Sequence, residues 1–210
     1  MDPHAHQPVE VAGAPLGGGQ GVVIMVHGRG ASPQNILDLV PQIARPSFTY
    51  LAPSAAGRSW YPFGFMHPTE ENEPKLSSAL ARIGSLVSEV LGHGVRADRI
   101  MLLGFSQGAC LTGEYAYRHP MRYGGVAMLS GGLIGPPGTE WDATGSFRGT
   151  PVFLGCSDCD AHIPKTRVDE SAQVFERLGA SVTERIYPGM GHLVSSDEVV
   201  EVRAILDQIQ

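Results

Sequence analysis

Gly104-Phe105-Ser106-Gln107-Gly108-Ala109, in one-letter form GFSQGA, closes an apolar run that begins at Arg99 and opens a segment of helical character. A serine fenced by glycines at such a junction has a steric explanation. The glycines let strand and helix approach closely around a tight, strained turn, which leaves the hydroxyl exposed at the carboxyl end of a sheet. As a bare pattern, G-x-S-x-G also fits an ordinary strand-to-helix turn capped by serine. Its meaning therefore depends on what the rest of the chain builds around it.

Short β-rich runs alternate with helix-like stretches on both sides. The runs are Gly21 to Gly28, Phe48 to Pro53, Arg99 to Ser106, Gly124 to Gly132 and Thr150 to Gly155, with a last one in SVTERIYPG from Ser181 and a first near Val9 to Val11. Continuous apolar runs of this length suit strands buried on both faces. Leu76, Leu80, Ile83, Val87 and Val90 recur at helical spacing, Ser32-Pro33 reads as an N-cap and first helical residue, and Ser195 to Ile209 reads as a closing amphipathic helix. The alternation predicts an α/β fold with a mostly parallel sheet covered by helices on both faces. With no internal repeat or dividing linker, the 210 residues read as one domain, 1–210.

Composition narrows the function. The formal charge is −6 and the lysines and arginines are scattered singly, so there is no basic stripe for a nucleic acid. No apolar run reaches the roughly 18 residues of a membrane span, and the start MDPHAHQPVE lacks the pattern of a secretory leader, so a cytoplasmic protein is expected. Three cysteines, Cys110, Cys156 and Cys159, do not suggest a disulfide framework. Cys156 and Cys159 spell C-x-x-C, but no second pair or His-x-x-x-His follows, so neither a metal nor a redox cofactor is expected.

A serine hydroxyl is a poor nucleophile at neutral pH and needs a base, which in turn needs an orienting acid. In hydrolases of this architecture these arrive in the order Ser, Asp or Glu, His, after successive strands. CSDCDAHIP follows the strand ending at Gly155, and MGHLVSS follows SVTERIYPG. His192 is thus the base. Among the other histidines, His4 and His6 fall in a mobile terminus, His93 and His119 lie near helix ends, His27 braces the loop that follows it, and His162 is too close to the acid's strand. Asp158 and Asp160 both suit the acid, and spacing does not choose between them. For the oxyanion, the amide after the nucleophile belongs to Gln107, and the loop MVHGRGAS offers the amide of Arg29.

From VVIMVHGRGAS through PSAAGRSWYPF, DRIMLLGFSQGACL and PVFLGCSDCDAHIP to YPGMGH, the chain resembles the phospholipase/carboxylesterase family of small α/β-hydrolases, which includes acyl-protein thioesterases. The GFSQGA elbow and the SWYP stretch at Ser59 to Pro62 are the most specific marks. The resemblance implies an α/β-hydrolase fold with little or no cap, Ser106 as nucleophile, Asp160 as acid, His192 as base, and the amides of Arg29 and Gln107 as oxyanion donors. It also implies a metal-free serine carboxylesterase acting on small to medium acyl esters, with thioesters and lysophospholipids as related substrates.

Two features depart from the thioesterase pattern. Arg29 replaces an apolar residue in the HGxG loop, where its side chain is expected to face solvent; the alternative is that it attracts a carboxylate-bearing substrate. The loop SWYPFGFMHPTEENEP is richer in aromatics, and Trp60, Tyr61, Phe63, Phe65 and Met66 are candidates to line an acyl or aromatic pocket. A dienelactone-hydrolase-like lactonase is the nearest alternative, although its nucleophile is normally cysteine; a non-catalytic binding protein on the same fold would lack a member of the triad.

Overall fold

Successive side chains of a strand point to opposite faces, so a strand apolar at every position must be covered twice. In the computed structural model, which describes residues 2–209, β2 (Gly21–Val26) is buried throughout. Val22, Ile24 and Val26 pack into one core, while Val23 and Met25 pack into a second on the other face. The same division runs through β3 (Phe48–Pro53), β4 (Ile100–Phe105), β5 (Gly125–Leu129) and β6 (Pro151–Ser157). With β1 (Val9–Gly13) and β7 (Ser181–Tyr187) at the edges, they form one seven-stranded sheet in the order β1-β3-β2-β4-β5-β6-β7. Only β1 runs antiparallel, against β3.

Helices cover both faces, as the alternating pattern anticipates. The larger core lies under α3 (Lys75–Gly92), α4 (Gln107–Arg118) and α5 (Lys165–Arg177). The smaller lies under the short α1 (Pro33–Leu37) and α2 (Val40–Ile43) and under α6 (Ser196–Leu206). On α3 the buried residues Leu76, Leu80, Ile83, Val87 and Val90 follow the spacing that marked it in the sequence. Each such side chain contributes about 1.5–3 kcal/mol when fully removed from water. Pro33 starts α1 next to its N-cap Ser32, and α6 is capped by Ser195, whose hydroxyl accepts from the Glu198 amide at 3.2 Å.

Parallel pairing puts the carboxyl ends of neighbouring strands on one edge. Val26 pairs with Gly104, Phe105 with Leu129, and Ser157 with Tyr187. The loops after β2, β4, β6 and β7 therefore open at the same end of the sheet, although they carry residues as distant as 28 and 192.

His4 is not in a free terminus. It is fully buried, with its amide 3.0 Å from the Ser78 hydroxyl on α3 and its ring against Trp60. Among the described residues, no helix is long and apolar enough to cross a membrane.

Candidate active site

The elbow is set by backbone crowding. A Cβ at Gly104 would lie 2.3 Å from the Gly108 carbonyl oxygen, and one at Gly108 would lie 2.1 Å from that of Val26. No side chain fits at either position, which is the steric role the flanking glycines suggested. Between them Ser106 adopts φ 57° and ψ −122°, a conformation that costs a non-glycine residue about 1–3 kcal/mol. Its carbonyl accepts from Cys110 at 3.0 Å to begin α4, and its amide donates to Leu129 on β5 at 2.9 Å. The hydroxyl is left pointing out of the turn.

The loops after β6 and β7 bring two further groups to that hydroxyl. His192 Nε2 lies 2.8 Å from Ser106 Oγ, and His192 Nδ1 lies 2.6 Å from Asp160 Oδ2. Asp160 Oδ1 accepts from the amides of His162 at 2.8 Å and Ile163 at 3.1 Å. Burial raises the Asp160 pKa, but the hydrogen bonds from His192 and these two amides outweigh it, so the carboxyl sits below its ordinary value and stays ionised. Phe105 and His162 flank the His192 ring at centroid distances of 5.0 and 4.8 Å.

Asp158, the other candidate acid, makes no hydrogen bond to the imidazole among the described residues. Its Oδ1 accepts from the Gly189 amide at 2.8 Å, and the neighbouring Ser157 hydroxyl accepts from Gly191 at 3.1 Å. Together they tie the loop carrying Asp160 to the loop carrying His192. Of the C-x-x-C pair, Cys156 is buried and Cys159 is exposed; both are free thiols, as is buried Cys110.

The amides of Arg29 and Gln107 have no acceptor among the described residues. Gln107 begins α4, where the first helical N–H groups lack internal partners and favour a negative charge. His27 braces the Arg29 loop as the sequence suggests: its Nδ1 is 2.8 Å from the Gly28 carbonyl, and its Nε2 accepts from the Ala55 amide at 3.2 Å.

The five aromatic and thioether candidates divide. Tyr61 and Phe65 line a cleft of about 320 Å³ together with Ser106, Gln107, Arg29 and Ile163. Trp60, Phe63 and Met66 do not. Trp60 is fully buried between His4 and His27, its indole N–H donating to the His27 carbonyl at 2.8 Å. Phe63 is exposed and stacks on His67, and Met66 packs against the larger core. A second cleft of about 350 Å³, lined by Ile36, Leu39, Phe105, Leu193 and Val194, opens on the other side of His192.

Residues that sequence reading passed over hold this wall in place. The Gln107 side chain accepts from the Trp60 amide at 3.0 Å and donates to the Tyr61 carbonyl at 2.8 Å. Buried Asn72 accepts from the Phe63 amide at 2.9 Å and donates to the Gly64 carbonyl at 3.1 Å. His4 accepts from the Ala56 amide at 3.0 Å, and its other ring nitrogen is 3.0 Å from the Trp60 carbonyl. Arg29 is exposed, but its guanidinium is not free in solvent. It donates to the Ser59 hydroxyl at 3.1 Å and to the carbonyls of Pro62 at 2.7 Å and Phe63 at 2.5 Å. Nothing in the spacing of His4, Asn72 or Arg29 signals these contacts, which join segments far apart in the chain.

The sequence profile of a family described as phospholipase/carboxylesterase matches residues 14–210. A solved phospholipase/carboxylesterase from Dyadobacter fermentans superposes with a TM-score of 0.92 at 39% identity, covering 96% of this chain and 97% of that one. Acyl-protein thioesterase 1 of Gibberella zeae is 33% identical over 58% of this chain and 53% of its own length. Its counterpart in Kluyveromyces lactis is 30% identical over 63% of this chain and 60% of its own. Those matches span little more than half of the curated relatives.

Proposed function

The chain belongs to the phospholipase/carboxylesterase family, and from that premise we propose that it is a serine carboxylesterase that hydrolyses small to medium acyl esters through an acyl-enzyme. The observation that carries this reading is the chain of contacts from Asp160 through His192 to Ser106, at 2.6 and 2.8 Å.

His192 Nε2 takes the proton of Ser106 Oγ as that oxygen attacks the ester carbonyl carbon. The tetrahedral oxyanion is met by the amides of Arg29 and Gln107, donors that need no reorganisation when charge develops. His192 then returns the proton to the departing alcohol oxygen. Water, deprotonated by the same imidazole, attacks the acyl-enzyme; the bond to Ser106 Oγ breaks, His192 returns the proton to Oγ, and the acid is released. Asp160 fixes the tautomer with Nδ1–H directed at itself and stabilises the imidazolium, while its low pKa keeps it an acceptor throughout. Because His192 must reach the leaving oxygen, the alcohol portion lies on the side of Leu193 and Val194. The acyl portion takes the cleft under Tyr61 and Phe65. Thioesters follow the same route with a thiol as leaving group.

The test is hydrolysis of 4-nitrophenyl esters from acetate to palmitate, with matched thioesters, by wild type and Ser106→Ala. Turnover falling by roughly three or more orders of magnitude in a folded Ser106→Ala protein is the expected result. A variant that kept near wild-type turnover would end the proposal.

A further inference from the structure

Arg29 is placed in the acyl cleft as a cation with unused donors. A guanidinium carries five N–H groups. Both of those on Nη1 and one on Nη2 are taken by Ser59, Pro62 and Phe63, which leaves Nε–H and one Nη2–H without an acceptor among the described residues. Nε and Nη2 are neighbours on the planar fork, the pair that grips a carboxylate side-on with two parallel hydrogen bonds. No carboxylate of the described chain forms an ion pair with Arg29, although the protein carries a net charge of −6.

The surroundings fix what such a charge can serve. The guanidinium lies 5.9 Å from the Tyr61 ring centroid and shares the cleft with Ser106, while Tyr61, Phe65 and Ile163 give that cleft apolar surface. Three loop acceptors hold the fork, so little side-chain entropy remains to be lost when an anion binds. A ligand matching this arrangement has an ester carbonyl at Ser106, a short apolar chain along Tyr61 and Phe65, and a terminal negative charge at Arg29.

Resting on the esterase reading above, we infer that Arg29 is a specificity residue whose guanidinium selects esters with an acyl portion ending in a carboxylate, the half-esters of short dicarboxylic acids. The same side chain also straps the 59–63 loop. The two roles separate experimentally, because a strap affects every substrate and a charge affects only the anionic ones.

The experiment compares 4-nitrophenyl hydrogen adipate with its methyl-capped diester, identical in chain length but neutral, on wild type, Arg29→Met, Asn72→Ala and Ser106→Ala. Wild type is expected to favour the acid by roughly tenfold or more in kcat/KM, as for a hydrogen bond to a charged group. About 0.5 M salt should erode that preference and leave the diester rate unchanged, a readout that needs no variant. Arg29→Met should abolish the preference, whereas Asn72→Ala, which loosens the same loop without removing charge, should slow both esters by a similar factor. Equal rates for acid and diester in wild type, or an equal loss on both in Arg29→Met, would overturn the inference while leaving the esterase reading intact. Undiminished turnover in Ser106→Ala would instead overturn the esterase reading, and this inference with it.

Discussion

At the β4–α4 turn the chain holds itself: Gly104 and Gly108 meet backbone within 2.3 Å of where a Cβ would be, and the serine between them is held at a positive φ of 57°. Across the cleft, residues 55–66 have almost no regular structure and are held by side chains that arrive from elsewhere, His4, His27, Arg29, Asn72 and Gln107. One wall of the site is made by sterics over five residues and the other by hydrogen bonds spanning up to 56 positions of sequence. The wall that carries Ser106 has no room to vary. The wall opposite is held by side chains, so single exchanges can rebuild it without placing a new atom at the Ser106 turn.

The contrast breaks first at Gly108. Gly108→Ala forces a Cβ into the Val26 carbonyl, and a loss of about 3 kcal/mol or more is expected, visible as a large drop in the denaturation midpoint or as insoluble protein. A stable, active Gly108→Ala protein would show that the elbow is less constrained than its crowding indicates.

Gln107→Ala tests the junction of the two regions. Its amide and helix position survive, but the Trp60 N–H and Tyr61 carbonyl lose their partners, for an expected cost of about 2–3 kcal/mol. If the far wall depends on this clamp, KM for long-chain esters should rise more than kcat falls; the reverse pattern would mean that the side chain mainly serves the nucleophile.

The smallest effect concerns pH. Burial lowers the pKa of both His4 and His27, only partly offset by their bonds to the carbonyls of Trp60 and Gly28, and each uses one ring nitrogen as an acceptor for a loop amide. The neutral rings are therefore the native form. Their contribution is fully present above the unfolded histidine value of about 6.5 and is lost as pH falls through the lower folded values. The wild-type Tm should decline as pH falls below about 6.5, and the decline should be shallower in His4→Gln, which keeps a donor and an acceptor but does not titrate there. Parallel Tm curves for the two proteins would remove His4 from this role.

The same division explains which parts were readable in advance. The sheet, α3 and the elbow follow from local periodicity and from glycines whose spacing has a steric meaning, so their residues announce them. Loop order after successive strands pointed to His192, but two aspartates two residues apart in the same loop are equivalent to any local rule. Asp160 meets the His192 imidazole as well as two backbone amides, whereas Asp158 meets only the Gly189 amide, a matter of three-dimensional placement. Trp60, Phe63 and Met66 misled because an aromatic run reads alike whether its rings face a cleft, a core or solvent. His4 was invisible, since its partners on α3 and near Trp60 lie more than fifty residues away.

The three thiols differ in a way that reaches beyond the reaction. Burial pushes the Cys110 and Cys156 thiols up to about 12, so neither is a thiolate at neutral pH, whereas Cys159 is exposed on the loop that carries Asp160. A maleimide dye would therefore attach at one position, one residue from Asp160. The folded chain carries a single natural labelling site for watching that loop move, and uptake of a second or third dye would time the opening of the sheet itself.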